Sequence, residues 1–243
     1  MNTVFITGAS GTLGRYFAEQ FAAHGWNLVL HGFRAIEALQ EYSQQLEHRY
    51  RVAVQCVAAD LTVESELKAM VETVRQSSSQ PTVLINNAAE FPSAQPLLRL
   101  SLEAWDRLWK LNLTAAWQMV QHFVHSLAPQ GGHIVNVASL GAIEIWKQRG
   151  IYNLTKQALL RLTQILAVEL APHYVVNAVA PGVIGDPRAA GIAIDPKQIP
   201  MQRFGTPDDV WNAVYFFSTC SSYITGQFLV VDGGFHFAKG CVI

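Results

Sequence analysis

The feature that most constrains the fold is a regular alternation of short apolar runs, rich in β-branched residues, with longer stretches of helical period. The apolar runs have the continuous hydrophobicity of strands covered on both faces, at residues 3–7, 27–31, 52–57, 83–86, 133–138, 175–180 and 228–231. Helical stretches fill the gaps, at residues 13–24, 36–50, 64–76, 102–127, 152–170 and 208–219. Because such alternation is typical of βαβ units, it predicts an α/β fold with a parallel seven-stranded sheet.

Length and composition narrow the class of protein. The 243 residues suit one α/β domain of generous size, which we expect to span residues 1–243. A net charge of −1, with 14% charged residues, gives no electrostatic reason to bind nucleic acid or an anionic membrane. The three cysteines, Cys56, Cys220 and Cys241, are widely spaced and suggest neither a disulfide framework nor a metal motif.

The apolar runs are also too short to cross a membrane, which needs ~20 residues. The first residues enter a strand pattern at once and leave no room for a targeting peptide. We therefore expect a cytoplasmic protein whose partner is a small molecule. One long irregular stretch, residues 182–207, contains Pro187, Gly191, Pro196 and Pro200. Long loops in compact domains are often lids, so we predict a substrate loop there.

A glycine-rich turn follows the first apolar run and opens the first helix. Glycines at this place let backbone amides approach a pyrophosphate, and the helix N-terminus favours the anion. Glycines also serve tight strand-to-helix turns for structural reasons, but the context of strand, turn and helix favours dinucleotide binding. The residues predicted to bind are Gly8, Ser10, Gly11, Thr12, Leu13 and Gly14.

The end of the second apolar run bears on the choice of cofactor. A fold selective for NAD usually carries an acid here for the ribose 2′-hydroxyl, whereas a 2′-phosphate needs a cation. The residues are His31-Gly32-Phe33-Arg34, with no acid. The sequence therefore predicts NADP(H), with Arg34 on the phosphate and Arg15 as a second cation, the alternative being a solvated surface arginine.

Polar and small residues end the next two strands. Asp60, followed by Leu61, is placed to accept from the adenine amino group, and it is equally suited to cap the following helix. Asn87, Ala88 and Ala89 permit close approach to a cofactor, although turn chemistry explains the asparagine equally well.

Three residues form a candidate proton-transfer set. Ser139 ends the fifth apolar run, and Tyr152 and Lys156, four residues apart, share one helix face. A free phenol titrates near ~10, so we expect a nearby ammonium and a cationic nicotinamide to lower the pKa of Tyr152. Ser139 would hydrogen-bond the substrate oxygen. It is not a hydrolase nucleophile, because no G-x-S-x-G sequence surrounds it.

Taken together, these motifs resemble the short-chain dehydrogenase/reductase family over nearly the whole chain. The likeness also includes Asn112, residues 177–182, 203–207 and 231–234. It implies a Rossmann-type doubly wound sheet in three α/β/α layers, and a homotetramer or homodimer. It further implies that Tyr152 is the general acid/base, that Lys156 holds the nicotinamide ribose, that Ser139 orients the substrate and that Asn112 anchors a proton-relay water. Pro181, Gly182 and Ile184 are implied as cofactor contacts.

Three positions depart from the family pattern. Thr12 stands at the usual second glycine, and Ala89 replaces the glycine of the usual Asn-Asn-Ala-Gly run. Asp186 stands where the family commonly has a threonine that binds the nicotinamide carboxamide. An ionised Asp186 could accept from the carboxamide NH₂ but could not donate.

The substrate pocket is expected to be lined by the loop after Pro181, by Phe91, and by six residues of the segment between Ser139 and Tyr152: Leu140, Ile143, Glu144, Ile145, Trp146 and Lys147. Phe91 and Pro92 resemble the pteridine reductases of the family, in which a phenylalanine stacks a pterin. The alternatives are a 3-oxoacyl thioester, a simple ketone, or plain hydrophobic cover by Phe91. A non-catalytic NADP(H) sensor is a further alternative, and an epimerase would need an additional domain.

Overall fold

The computed structural model describes residues 2–77, 80–187 and 194–238. Seven parallel strands form one sheet in the order β3-β2-β1-β4-β5-β6-β7. The strands are β1 Thr3–Ile6, β2 Asn27–Gly32, β3 Val54–Ala58, β4 Val83–Asn86, β5 Gly132–Val137, β6 Tyr174–Pro181 and β7 Phe228–Val231. The predicted Rossmann-type doubly wound fold is thus confirmed.

Helices cover both faces of the sheet. They are α1 Thr12–Ala23, α2 Ile36–Tyr50, α3 Glu64–Arg75, α4 Leu102–Trp109, α5 Ala115–His122, α6 Gly150–Glu169, α7 Pro207–Thr219 and α8 Phe235–Ala238. Short 3₁₀ turns lie at Leu97–Arg99, Leu140–Ala142 and Pro196–Gln198. Among the described residues, no helix is long and apolar enough to cross a membrane.

The core lies in two main layers, one on each face of the sheet. Alternate side chains of a strand enter opposite layers, so that Val4 and Ile6 of β1 pack on one face and Phe5 packs on the other. The first layer is closed by aromatic residues of α1 and α7, such as Phe21 and Trp211. The second is closed by α3, α5 and α6. Burial on both faces explains why the strands read as unbroken apolar runs.

The ends of the predicted strands and helices agree with the structure to within two residues. The predicted helix at residues 102–127 is continuous, but it contains two π-helical segments, Lys110–Thr114 and Phe123–Leu127, which the sequence did not indicate. The 3₁₀ turns and α8 were not predicted either.

The strand order places a ligand crevice between β1 and β4. The connection from β1 leads to β2 on one side of the sheet, whereas β4 begins the other half. Ile6 of β1 lies level with Leu30 of β2 and Ile85 of β4, so the segments that follow these strands meet at one edge. In open α/β sheets, ligands bind outside the carboxyl ends of the strands at such a switch point.

The predicted loop at residues 182–207 is tied together near its two ends. Gly185 donates a backbone hydrogen bond to Gly205 (2.8 Å), and Gly205 donates one to Val183 (2.9 Å). Gly191 and its neighbours, residues 188–193, lie outside the described residues. The role of the loop in substrate binding stays a prediction.

Candidate cofactor and active site

The turn after β1 needs glycine at two positions. Gly8 has φ +65°, and a Cβ there would lie 2.8 Å from the Cα of Ala88. A Cβ on Gly14 would lie 2.3 Å from the carbonyl oxygen of Gly8. Gly11 has ordinary space around it and is the N-cap of α1, where it has no side chain to cap the helix. The first amides of α1 therefore remain available to an anion.

Thr12 is the first residue of α1. The departure from the family pattern at this position therefore falls at the helix start, between Gly8 and Gly14, the two glycines that the turn requires.

Asn87 and Thr7 join the segments that follow β1 and β4. The amide of Asn87 donates to the carbonyl oxygens of Thr7 (2.9 Å) and Gly8 (3.1 Å). The Thr7 hydroxyl accepts from the backbone amides of Asn87 and Ala88. Asn87 thus has a structural role in this turn, in line with the turn-chemistry interpretation, while it also lines the crevice.

A cavity of about 920 Å³ lies over this edge of the sheet. It brings together the predicted cofactor residues of the first part of the chain. These are Gly8, Ser10, Gly11, Thr12, Leu13, Gly14, Arg34, Asp60, Leu61, Asn87, Ala88 and Ala89. Its other walls include His31, Phe33, Glu90 and Arg107.

The two arginines predicted for the 2′-phosphate have different surroundings. Arg34 lines the cavity and forms no ion pair with a carboxylate of the described residues. Arg15 does not line the cavity, and its guanidinium lies over the ring of Tyr42, 4.2 Å from the centroid. The prediction of Arg15 as a second cation is therefore not supported, because Tyr42 of α2 holds it on another surface.

Asp60 makes a local turn rather than a cap on α3. Its Oδ1 accepts from the backbone amide (2.9 Å) and the hydroxyl (2.7 Å) of Thr62, whereas the N-cap of α3 is Val63. Asp60 and Leu61 both line the cavity.

Ser139, Tyr152 and Lys156 converge on a second cavity of about 510 Å³. Leu13, Asn87, Ala89 and Phe91 line both cavities, so the two form one continuous crevice. The second cavity is also lined by Trp146, Pro181, Gly182, Ile184 and Asp186, whereas Asn112 lines neither cavity.

Tyr152 lies in the first turn of α6, and Lys156 lies one turn later on the same face. Burial raises the pKa of Tyr152, and a hydrogen bond with the Ser139 side chain opposes this rise. Lys156 is 2% exposed, and burial lowers its pKa to about 8. Its ammonium donates to the carbonyl oxygen of Val137 (2.8 Å) and lies 5.9 Å from the centroid of the Tyr152 ring.

These pKa values correct one expectation from the sequence. Lys156 and a cationic nicotinamide together were expected to lower the pKa of Tyr152; in the protein alone, where Lys156 is present without the nicotinamide, burial raises that pKa. The reason is that the site is enclosed, which disfavours the charged form of each group. Ser139, rather than Lys156, supplies the stabilising contact to Tyr152.

Asn112 lies in the π-helical segment between α4 and α5 and is 1% exposed. Its side chain accepts from the backbone amide of Glu90 (2.8 Å) and donates to the Glu90 carbonyl oxygen (3.1 Å). It also donates to the hydroxyl of Thr155, which lies between Tyr152 and Lys156 on α6 (3.3 Å). Asn112 therefore links the loop after β4 to the helix that carries the candidate acid/base. The predicted water-anchoring role stays a prediction.

Three aromatic side chains form the wall of the second cavity. The ring of Phe91 meets Tyr152 edge to face at 4.8 Å and lies 6.3 Å from Trp146. Behind it, the guanidinium of Arg149 lies 4.2 Å from the Phe91 centroid, and Arg149 donates to the carbonyl oxygen of Pro92.

The predicted lining by six residues between Leu140 and Lys147 was largely wrong. Among these residues only Trp146 lines the cavity. Leu140 packs into the core beside Ile199 and Phe235, while Ile145 is 94% exposed. The 3₁₀ turn at Leu140–Ala142 causes the difference, because it folds this segment inward directly after Ser139.

Several residues of this crevice were not predicted from the sequence, and His31 is the one of them that contacts the glycine turn. His31, near the end of β2, is 3% exposed and accepts a hydrogen bond at Nδ1 from the amide of Gly8 (3.1 Å). The available signal was a single polar residue at the carboxyl end of an apolar strand.

Comparison with known proteins identifies the family. A family model described as enoyl-(acyl carrier protein) reductase matches residues 8–236. The chain is 33% identical to a 3-oxoacyl-[acyl-carrier-protein] reductase of Aquifex aeolicus, over 94% of this chain and 95% of the relative. It is 32% identical to an NAD-dependent glycerol dehydrogenase of Listeria innocua, over 95% and 92% of the two chains.

A solved structure agrees with these matches. L-sorbose reductase from Gluconobacter frateurii, complexed with NADPH and L-sorbose, has a TM-score of 0.88 and 29% identity, over 96% of both chains. Members of the family bind nicotinamide cofactors, and the crevice has the turn and the open helix start that a dinucleotide needs. The chain therefore belongs to the short-chain dehydrogenase/reductase family of oxidoreductases.

Proposed function

We propose that the protein is an NADP(H)-dependent oxidoreductase that interconverts a carbonyl, or a C=N group, and the corresponding reduced product. The observation that carries this proposal is the crevice itself. At one end it contains the glycine turn, and at the other it contains Ser139, Tyr152 and Lys156. A dinucleotide that spans both ends brings its nicotinamide to the proton-transfer set.

Bound NADPH supplies the hydride for the substrate carbon. Tyr152 gives its phenolic proton to the substrate oxygen, so that the C=O double bond becomes a C–O single bond, with a new C–H bond at the carbon and a new O–H bond at the oxygen. Ser139 donates a hydrogen bond to the same oxygen as negative charge develops on it. In the reverse direction, Tyr152 accepts the alcohol proton.

Lys156 acts on this proton transfer through its charge. With a pKa of about 8, it is protonated near neutral pH, and together with a cationic nicotinamide its charge would oppose the rise in the Tyr152 pKa that burial causes. Its ammonium is also the group that would hold the nicotinamide ribose when the cofactor is bound. Asn112 holds α6 in place beside the loop after β4.

The choice of NADP(H) rests on the end of β2. Arg34 is a cation on the cavity wall with no carboxylate partner among the described residues, and no acid stands there to accept from a 2′-hydroxyl. The Gluconobacter reductase was solved with NADPH, whereas the Listeria relative is described as NAD-dependent. The residues of this chain favour NADP(H).

The substrate class follows from the aromatic wall. Phe91, Trp146 and Tyr152 favour an apolar or planar group beside the reacting carbonyl. A dihydropteridine is the second candidate, because Phe91 lines both cavities and so lies where a flat ring would meet the nicotinamide. A 3-oxoacyl thioester is supported by the Aquifex relative.

The test is NADPH oxidation, followed by absorbance, with panels of ketones, 3-oxoacyl thioesters and dihydropteridines. We expect turnover on one panel, and we expect Tyr152→Phe to lower kcat about 100- to 10,000-fold at unchanged NADPH affinity. A Tyr152→Phe variant with full turnover would exclude Tyr152 as the acid/base. Tight binding of NADPH without turnover on any panel would favour a non-catalytic sensor instead.

A further inference from the structure

His31 is a buried titratable residue that the proposed reaction does not use. It lies on β2, is 3% exposed, and lines the cofactor cavity. Its Nδ1 accepts from the backbone amide of Gly8 (3.1 Å), and its Nε2 lies 3.0 Å from the carbonyl oxygen of Ala59. Because an amide can only donate and a carbonyl can only accept, these partners require a neutral ring with its proton on Nε2.

Backbone hydrogen bonds of His31 and Gly32 join the same two segments, the turn after β1 and the end of β3. The amide of Ala9 donates to the His31 carbonyl oxygen (2.8 Å), and the amide of Ala59 donates to Gly32 (3.3 Å). His31 therefore joins the turn after β1 to the end of β3, directly before Asp60. These are two of the four strand-end segments that line the large cavity.

The hydrogen bond between the Gly8 amide and His31 acts on the residue of the turn whose backbone conformation is most restricted. Gly8 has φ +65°, and its Cα lies so close to Ala88 that no side chain fits between them. The hydrogen bond to Nδ1 fixes the direction of the Gly8 amide, and hence the plane of the peptide that precedes it. The amides that follow in the turn, and the start of α1, take their orientation from this point.

We propose that His31 is a positioning residue for the dinucleotide: its neutral ring holds the glycine turn and the Asp60 segment in the geometry that binds the cofactor. His31 touches no reacting atom, so it acts on cofactor affinity rather than on the rate of hydride transfer. This inference rests on the crevice being the dinucleotide site, but not on the choice between NADP(H) and NAD(H).

Protonation of His31 would remove this support. A charged ring carries a proton on Nδ1 as well, so a donor would then face the Gly8 amide. Burial lowers the pKa of His31, while the Ala59 carbonyl and the Asp60 carboxylate favour the charged ring. The other charged groups around this strand end are Arg34, Glu66, which accepts from the backbone amide of Asp60 (2.7 Å), and Glu90 and Arg107 on the cavity wall, whereas the turn from Gly8 to Gly14 has none. Cofactor affinity is therefore expected to fall in acid.

Two substitutions each retain one of the two side-chain hydrogen bonds of His31, those to Gly8 and Ala59, and remove the other. In His31→Asn, the side-chain amide oxygen reaches the place of Nδ1 and still accepts from Gly8. In His31→Gln, the amide nitrogen reaches the place of Nε2 and still donates to Ala59, but the Gly8 amide loses its acceptor. Neither amide titrates, so both variants remove the protonation.

The experiment measures the Kd of NADPH and NADH for wild type, both His31 variants and Arg34→Ala, with the Tm of each. We expect His31→Gln to raise both Kd values about tenfold or more, and His31→Asn to stay within about threefold of wild type. At saturating cofactor, kcat should stay within about twofold. Arg34→Ala should raise the Kd of NADPH alone.

The outcomes are separable. Wild-type affinity in both His31 variants would overturn the inference, and so would equal losses of affinity that follow equal losses of Tm, since those indicate a purely structural role. An Arg34→Ala variant with unchanged NADPH affinity would overturn the cofactor choice only. A wild-type protein that binds neither dinucleotide would overturn the proposed function and this inference with it.

A pH series supplies the second readout. NAD⁺ is the probe, because the 2′-phosphate of NADP(H) titrates near pH ~6 itself. As the pH falls below about 6.5, the ordinary histidine value, the Kd of wild type should rise when His31 takes up a proton, and that of His31→Asn should stay flat, because burial lowers the pKa of His31. Parallel curves for the two proteins would contradict the proposed role of the neutral ring.

Discussion

Lys156 is the side chain with the most unfavourable position in the site. A primary ammonium prefers water, but here it is 2% exposed and has one carbonyl oxygen, that of Val137, within hydrogen-bonding distance. Burial therefore lowers its pKa from the ordinary 10.5 to about 8. A residue that is unfavourable for folding at this place is consistent with a role in binding or catalysis.

The burial of the Lys156 ammonium lowers the free energy of unfolding by an amount that depends on pH. Between about pH 8 and pH 10.5 the unfolded chain holds the lysine proton and the folded chain does not, so the free energy of unfolding rises with pH in this window. The shift corresponds to about 3 kcal/mol. We expect the stability of wild type, relative to Lys156→Met, to increase by about this amount over the window. Chemical denaturation of both proteins at several pH values is the measurement; a constant difference would contradict the lowered pKa.

Arg34 gives a second prediction at the residue scale. A cation without a carboxylate partner costs little to remove, so Arg34→Ala should leave the Tm nearly unchanged. It should raise the Kd of NADPH about 10- to 100-fold, because a charge-assisted contact to the 2′-phosphate is lost, and it should leave the Kd of NADH alone. Arg15→Ala is the matched control, since Arg15 lies over Tyr42 outside the cavity. Equal effects of both substitutions would contradict the assignment.

Sequence reasoning placed Tyr152 and Lys156 side by side because their spacing has a direct geometric meaning. Four residues on a helix return to the same face, so Tyr152 and Lys156 had to lie together. Contacts between distant segments have no such signal. The placement of Arg15 over Tyr42, and of His31 between Gly8 and Ala59, depends on how β2 and α2 pack. No periodicity within the sequence encodes these contacts.

At the scale of elements, the continuous helical segment from α4 to α5 connects the two sides of the site. The π-helical segment at Lys110–Thr114 changes the helical register, and it carries Asn112 between Glu90 and Thr155. Apolar periodicity predicted a helix here but not this change, because the apolar face continues through it. Similarly, the pattern predicted β5 and α6 but not the 3₁₀ turn between them, which buries Leu140.

The link made by Asn112 can be removed with one substitution. Asn112→Ala leaves the amide and the carbonyl of Glu90 without this partner in a partly buried region, which should lower the free energy of unfolding by about 1–3 kcal/mol. It should also reduce kcat, because α6 and the loop after β4 lose a common anchor. Gln121→Ala, on the exposed face of α5, is the control and should change stability by less than about 0.5 kcal/mol. Denaturant unfolding and steady-state kinetics measure both; equal stability of the two variants would contradict the link.

At the scale of the whole molecule, the doubly wound sheet divides the crevice into two ends. Segments after β1, β2 and β3 surround the larger cavity, and segments after β5 and β6 close the smaller one. The loop after β4 contributes to both, through Asn87, Ala89 and Phe91. Arg34 lines only the larger cavity, whereas Trp146 lines only the smaller one. Cofactor choice and substrate choice are therefore expected to depend on separate residues.

This separation predicts additive effects on kcat/KM. Trp146→Ala should raise the substrate KM about tenfold or more, through loss of the aromatic wall, and leave the Kd of NADPH unchanged. Arg34→Ala should raise the Kd of NADPH and leave the substrate KM unchanged. Because the two side chains share no cavity, their effects on the logarithm of kcat/KM should add in the double variant to within about 0.5 kcal/mol. Ile145→Ala is the control beside Trp146, since its side chain is 94% exposed. A coupling well above this limit would show that the two ends of the crevice respond as one unit, through the loop after β4 that they share.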